Sequence, residues 1–370
     1  MKNEIADNLN RQTDRQTDRQ TDRQTDRQTD RQTELSNCTF VKTILMLIVV
    51  IYHCILFWKG AWFTGNPVYE SRLLDILATW MNSFHIYGFT LVSGYLFYYL
   101  KCEKAKYDRF VPFVSNKFKR LLVPYVFVSL VWVIPFAVYY FDYSVRDIVI
   151  RFGFGVSPNQ LWFLLMLFWI FVIFYPLSDY FKKNNIGGVL LIIAFYGIGF
   201  IGQALLPNIF QVFRACSCLS LFWLGFKIRQ YGSSYLRKIP ILMWIFADAV
   251  IFALSMLFQR MDGMIFTLLN YCVDFLLQIV GALMSFVILQ KLADHLKWKG
   301  SKIFSLFSRN SMPVYLLHQQ IVYVLISLLN GKINPYIHAG INFFGAMIIS
   351  LLIATFLMKF RYTRFLIGEK

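Results

Sequence analysis

From residue 39 onward the chain is a succession of apolar runs, each long enough to cross a bilayer, separated by short connections that hold most of its charge. A helix spans the hydrocarbon with roughly 20 apolar residues at about 1.5 Å each. The runs fall near 39–58, 80–100, 121–141, 161–178, 187–204, 209–227, 240–258, 264–290, 311–330 and 341–360. Hydrocarbon offers no water to backbone N–H and C=O groups, so each run must satisfy its own hydrogen bonds as a helix. The fold class expected is all-α, a polytopic membrane protein with about ten transmembrane helices. A composition of 57% hydrophobic and 15% charged residues excludes an ordinary soluble domain.

A net charge of +17 raises the question of nucleic acid. The cations answer it by where they sit. Lys101, Lys104, Lys106, Arg109, Lys117, Lys119 and Arg120 share one connection. Other even-numbered connections carry Lys182 and Lys183, then Lys227, Arg229, Arg237 and Lys238, then Lys291 to Arg309. The odd-numbered ones hold only Lys59, Arg72, Arg146, Arg151, Arg260 and Lys332. That asymmetry is the positive-inside pattern, and it predicts cytoplasmic N and C termini. The charge therefore serves topology and anionic headgroups, so membrane lipid is an expected partner and nucleic acid is not. Pro124, Pro135 and Pro176 fall near expected span ends, where proline starts or stops helices. The six cysteines show no metal-binding spacing, so no metal site is expected and they read as small apolar fillers.

Residues 1–35 form a separate region, with the membrane domain expected over 36–370. Arg11 to Glu34 reads Arg-Gln-Thr-Asp over and over, with no apolar residue to bury, so a disordered cytoplasmic tail is expected. AGA CAG ACA GAC encodes that repeat as a four-base unit, AGAC, read three times. Gain or loss of one unit shifts the downstream frame, as in phase-variable genes for bacterial surface structures. The tail is polar and the first apolar run is full length, so no secretory leader is expected before it.

Lys42 and His53 lie eleven positions apart in the first run. At 100° per residue they share one helix face, about 16 Å apart. An ionisable group in hydrocarbon normally faces the protein interior or a wet cavity, which makes His53 a site candidate. The alternatives are a core histidine and a lysine snorkelling at the membrane edge. Asp248 and Asp274 also fall inside spans, where each needs a partner: a histidine to orient, or Arg214 to balance. His295 and His338 fall in connections and are expected to face solvent.

Several blocks, in order, carry a resemblance. They are Lys42-x10-His53; Phe84-His85 with Ser93-Gly94-Tyr95-Leu96; Lys117-Phe-Lys-Arg120; Leu161-Trp162-Phe163-Leu164; Arg214 with Phe222-Trp223-Leu224-Gly225; and Asn310-Ser311 with Tyr315-Leu316-Leu317-His318. Together they resemble the acyltransferase-3 family of integral membrane proteins, with lysine where that family has arginine at positions 42 and 117. The resemblance implies acyl transfer, usually of acetyl, onto hydroxyls of cell-surface glycans. No esterase-like domain follows the last expected span, so the stand-alone form is expected, multi-pass in the bacterial inner membrane.

The chemistry fits that implication. Transfer to a hydroxyl needs a base near the attacking oxygen, and neutral imidazole suits that task near pH 7. His53 is the expected catalytic residue, with a transient acetyl-histidine as a second route. Acetyl-CoA, the expected donor substrate, is anionic, and no bound cofactor is expected. Lys42, Lys117, Lys119 and Arg120 are the expected donor-binding cations, although a lysine gives a point charge where arginine gives a bidentate fork. His85 and Arg214 are each an acceptor contact or a structural residue, and His318 is expected to make a structural or donor-side bond. The acceptor expected is a surface glycan or glycolipid such as lipopolysaccharide. An exporter of such a glycan is the alternative from another class, and a structural membrane subunit leaves Lys42 and His53 unused.

Overall fold

The structure, a computed structural model, describes residues 35–60 and 62–369. The repeat tract of the tail lies outside the described residues. Among these residues there is no strand, and nine helices are long and apolar enough to cross a membrane. They are α1 (Leu35–Lys59), α4 (Phe110–Phe141), α5 (Asn159–Lys183), α6 (Asn185–Leu205), α7 (Ile209–Tyr231), α8 (Ile241–Phe258), α9 (Met264–His295), α11 (Ser311–Leu329) and α12 (Pro335–Leu357). Between them stand α2 (Arg72–Asn82), α3 (His85–Tyr98) and a short amphipathic α10 (Lys302–Arg309), and α13 (Arg361–Leu366) follows. The protein is an all-α multi-pass membrane protein.

The second expected run, 80–100, is not among the nine. It is built instead as the end of α2 and the whole of α3, which meet at Ser83 and Phe84; α3 then runs on as a π-turn, Tyr99–Glu103. His85, Thr90, Ser93, Gly94 and tyrosines 87, 95 and 98 dilute its apolar content. A helix enclosed by other helices does not need a lipid-facing surface, and most of α3 is buried.

α3 crosses α7 at backbone contact. A Cβ on Gly94 would lie 1.9 Å from the Phe222 carbonyl oxygen, and one on Gly225 1.9 Å from that of Leu91. Only glycine permits such an approach, as is usual where membrane helices pack closely. At the far end of α3, Phe97 is ringed by Phe113, Phe174 and Phe222 at centroid distances of 5.7, 5.6 and 5.6 Å, tying α3 to α4, α5 and α7. The outer helices are distinguished by burial. In α5 and α11 67% of the central stretch is buried, against 22% in α6 and 11% in α8.

The prolines behave differently from expectation. Pro124 and Pro135 sit inside α4 and Pro176 inside α5, rather than at helix ends. π-turns at Phe118–Leu122 and Ser129–Val133 precede the first two, widening the helix where the ring would clash and the N–H is missing. α12 begins at Pro335, earlier than expected. His338 is therefore buried in a helix at 2% exposure, its ring 5.2 Å from Trp58, and not in a solvent-facing connection. His295 is exposed at the last position of α9.

Candidate active site

α1 carries Lys42 and His53 toward two cavities that follow each other inside the bundle. The first, a vestibule of about 470 Å³, is lined by Lys42, Lys117, Arg120, Arg309 and Glu369 among apolar side chains. The second, a chamber of about 280 Å³, is lined by Tyr52, His53, Trp62, His85, Asn159, Gln160, Gln319 and Tyr323. Val49, Ile86 and Tyr315 line both and form the septum between them.

His53 meets His318 behind the chamber wall. His318 Nδ1 faces the carbonyl oxygens of Val314 at 3.1 Å and Tyr315 at 2.9 Å, so it carries the proton and donates. His53 Nδ1 faces the Val49 carbonyl at 2.9 Å and His318 Nε2 at 3.1 Å. A carbonyl only accepts, so His53 Nδ1–H donates, and two N–H groups cannot face each other. His318 Nε2 is thereby the acceptor and that ring is neutral. The protonation pattern leaves His53 Nε2 as the nitrogen without a hydrogen bond among the described residues. Each tautomer follows from the bond made by the other nitrogen. Tyr52 lies against both His53 and His85, with centroid distances of 5.0 and 4.6 Å, and His85 Nδ1–H donates to the Met81 carbonyl at 2.5 Å.

A glutamine pair fixes the wall behind His318. Gln160 Nε2 donates to the Leu316 carbonyl at 3.1 Å and to Gln320 Oε1 at 2.8 Å, while the Tyr315 hydroxyl donates to the Gln160 carbonyl. These bonds lock the start of α5 to α11, and so lock His318 in place.

In the vestibule, Lys117 Nζ lies 3.7 Å from the Phe171 ring centroid and 5.3 Å from that of Phe113, a cation–π seat on α5 and α4. Arg120 and Arg309 come from α4 and the end of α10. Gly368 and Glu369, just after α13, fold back against α4, and a Cβ on Gly368 would lie 2.9 Å from the Arg120 carbonyl. Pro124 lacks the N–H that would otherwise bond that oxygen. Burial among these groups raises the Glu369 carboxyl above its ordinary value, with the cations Arg120, Arg309 and Lys42 pulling the other way.

A family model described as an acyltransferase domain, that of the acyltransferase-3 family, matches residues 37–359. The chain belongs to this family. Comparison with curated proteins and with solved structures returns no match. As an acyltransferase-3 protein it is a membrane acyltransferase. The structure brings His53 and His85 to one chamber, with His318 buried behind His53, and Lys42, Lys117 and Arg120 to the adjoining vestibule. Lys119 stays outside, exposed on the other side of α4, because neighbouring helical positions diverge by about 100°.

Arg214 also stays apart. Its guanidinium lies 4.5 Å from the Trp162 ring, and Nε donates to Gln203 Oε1 at 3.4 Å. The intramembrane carboxylates have other partners than those expected. Asp248 accepts from Trp80 Nε1 at 2.7 Å, and Asp274 from Ser255 at 2.5 Å and Asn270 at 3.0 Å. Sequence reasoning passed over Asn159, Gln160, Gln319, Gln320, Arg309 and Glu369. Adjacent amides at 319 and 320 inside an apolar helix were the available signal, since polar groups in a span need partners.

Proposed function

We propose that this acyltransferase-3 protein is an O-acetyltransferase of the bacterial inner membrane. It takes acetyl from acetyl-CoA and places it on a hydroxyl of a surface glycan or glycolipid such as lipopolysaccharide. The observation that carries the reading is the adjacency of the two cavities across Val49, Ile86 and Tyr315, cations at the first and an imidazole with a free nitrogen in the second. The phosphates of the donor would meet Lys42, Lys117, Arg120 and Arg309. The pantetheine arm would pass the Val49, Ile86 and Tyr315 septum, and its length is of the order of the ~16 Å between Lys42 and His53.

In the chamber His53 Nε2 takes the proton of the acceptor hydroxyl as its oxygen attacks the thioester carbon. The tetrahedral intermediate then expels the thiolate, which takes the proton back from Nε2–H. His318 accepts from His53 Nδ1–H throughout and holds the ring with Nε2 toward the substrate, the orienting role of a third group behind a base. The basic loops support cytoplasmic termini and hence a vestibule open to cytoplasmic acetyl-CoA. The Arg-Gln-Thr-Asp repeat, which a tandem AGAC tract would encode, supports switching of expression by frame.

Mass spectrometry of surface glycolipid tests the reading in strains carrying the gene in frame, out of frame, and in frame with His53→Ala. One acetyl increment confined to the in-frame strain is expected. Unchanged glycan mass in all three strains, with a varying surface amount, would overturn catalysis in favour of export.

A further inference from the structure

Two amides in the chamber wall lack partners. Asn159 Nδ2 and Gln319 Oε1 are both buried without a hydrogen bond, and both side chains line the cavity that holds His53. Gln160, between them in the same wall, is by contrast fully bonded. Burying an unpaired amide costs stability, so such groups call for a ligand or a function.

Each is also held in position. Asn159 opens α5 with φ at +46°, a left-handed conformation that asparagine adopts more readily than most residues but still at a cost. Gln319, 3% exposed, follows His318 directly, and its Nε2 donates to the Tyr323 hydroxyl, which leaves Oε1 as the free end. Besides His85 Nε2, a further acceptor without a bond among the described residues, the chamber presents one unpaired donor, Asn159 Nδ2–H, and two acceptors, Gln319 Oε1 and His53 Nε2. That set complements a carbonyl oxygen beside two hydroxyl groups.

Resting on the acyl-transfer reading above, we infer that Asn159 is the oxyanion donor of the reaction and Gln319 the contact that selects a polyhydroxy acceptor. As the acceptor oxygen bonds to the thioester carbon, the carbonyl π electrons move to its oxygen, and Asn159 Nδ2–H donates to the charge that develops. The C–S bond then breaks, the oxygen re-forms its double bond, and Asn159 returns to bonding a neutral carbonyl. Gln319 Oε1 accepts from a second hydroxyl of the acceptor, next to the one that His53 deprotonates. An acceptor with a neighbouring hydroxyl, as on a sugar ring, is held in register; a simple alcohol is not.

Asn159→Gly and Gln319→Leu test this, with thermal melting of each as the control for folding, since leucine also removes the bond to the Tyr323 hydroxyl. Glycine tolerates positive φ, and leucine removes a buried unpaired oxygen. Each variant is purified into lipid nanodiscs with acetyl-labelled acetyl-CoA as donor. The acceptor is envelope glycolipid extracted from a host strain with the gene deleted. Asn159→Gly is expected to melt no lower than wild type while kcat falls about 100-fold or more and both KM values stay within about twofold. Gln319→Leu is expected to raise KM for the glycolipid about tenfold with donor KM unchanged, and Gln319→Glu, which keeps the acceptor oxygen, to recover most of it.

His53→Ala runs alongside. If it is inactive while Asn159→Gly turns over at the wild-type rate, the oxyanion assignment is wrong and the base assignment stands. If His53→Ala is itself fully active, the acyl-transfer reading of this chamber fails. Unchanged glycolipid KM in Gln319→Leu removes Gln319 from acceptor recognition.

Discussion

The imidazoles of His53 and His318 meet at a centroid distance of 4.9 Å with their planes 64° apart, although 265 residues separate them in the chain. The pair differs from a histidine–carboxylate pair in one physical respect. A neutral imidazole accepts from His53 Nδ1–H but brings no negative charge to a developing imidazolium. Its contribution is to orientation more than to basicity, and that sets the ranking expected of variants. His53→Ala should lower kcat by about 10²–10⁴-fold, the range for losing a positioned base. His318→Ala, which leaves the Val49 carbonyl as the sole partner of Nδ1, should lower kcat about tenfold with both KM values preserved. Steady-state kinetics of the purified variants checks the order, and equal losses would contradict it.

The vestibule separates cations that neighbouring sequence positions do not. Lys42→Gln or Lys117→Gln should raise the KM for acetyl-CoA about tenfold, equivalent to ~1.4 kcal/mol of binding, and make that KM less sensitive to salt. Lys119→Gln should leave it unchanged, since that side chain is exposed outside the cavity. Donor titrations at two ionic strengths distinguish the three.

Glu369 gives the vestibule a pH dependence. Its carboxyl is raised above the ordinary value of 4.5 by burial. The docked segment therefore favours the protonated form: docking is strongest below pH 4.5 and weakens as pH rises through the higher docked-state value. A fluorophore on Phe365→Cys, with the exposed Cys272 replaced by serine, should report increasing mobility of residues 361–369 over that window. Glu369→Gln should abolish the change and lower the KM for acetyl-CoA, because an anion then enters without meeting a carboxylate.

The α3–α7 crossing predicts an asymmetry among glycines. Gly94→Ala or Gly225→Ala puts a methyl within 1.9 Å of a carbonyl oxygen on the facing helix, which no side-chain rotation relieves. A loss of roughly 3 kcal/mol or more is expected, at the upper end of overpacking costs. Gly197→Ala, with nothing within 4 Å of its Cβ, should stabilise α6 by up to about 1 kcal/mol through helix propensity. Thermal denaturation in detergent orders the three, and a stable Gly94→Ala would contradict the crossing.

The sequence by itself determined the helices, the face that Lys42 and His53 share and the family, because hydrophobic period and block order are local properties of the chain. It marked His53 as a site residue through the cost of an ionisable group in hydrocarbon. Only the tertiary structure decided that His318 supports His53, that Lys119 stands outside the vestibule, that α2 and α3 replace one continuous span, and that Asn159 and Gln319 face the same chamber. Each of these depends on which helices become neighbours. That choice rests on close contacts such as Gly94 against Phe222 and Gln160 against Gln320, between residues far apart in the chain, and no local pattern encodes it.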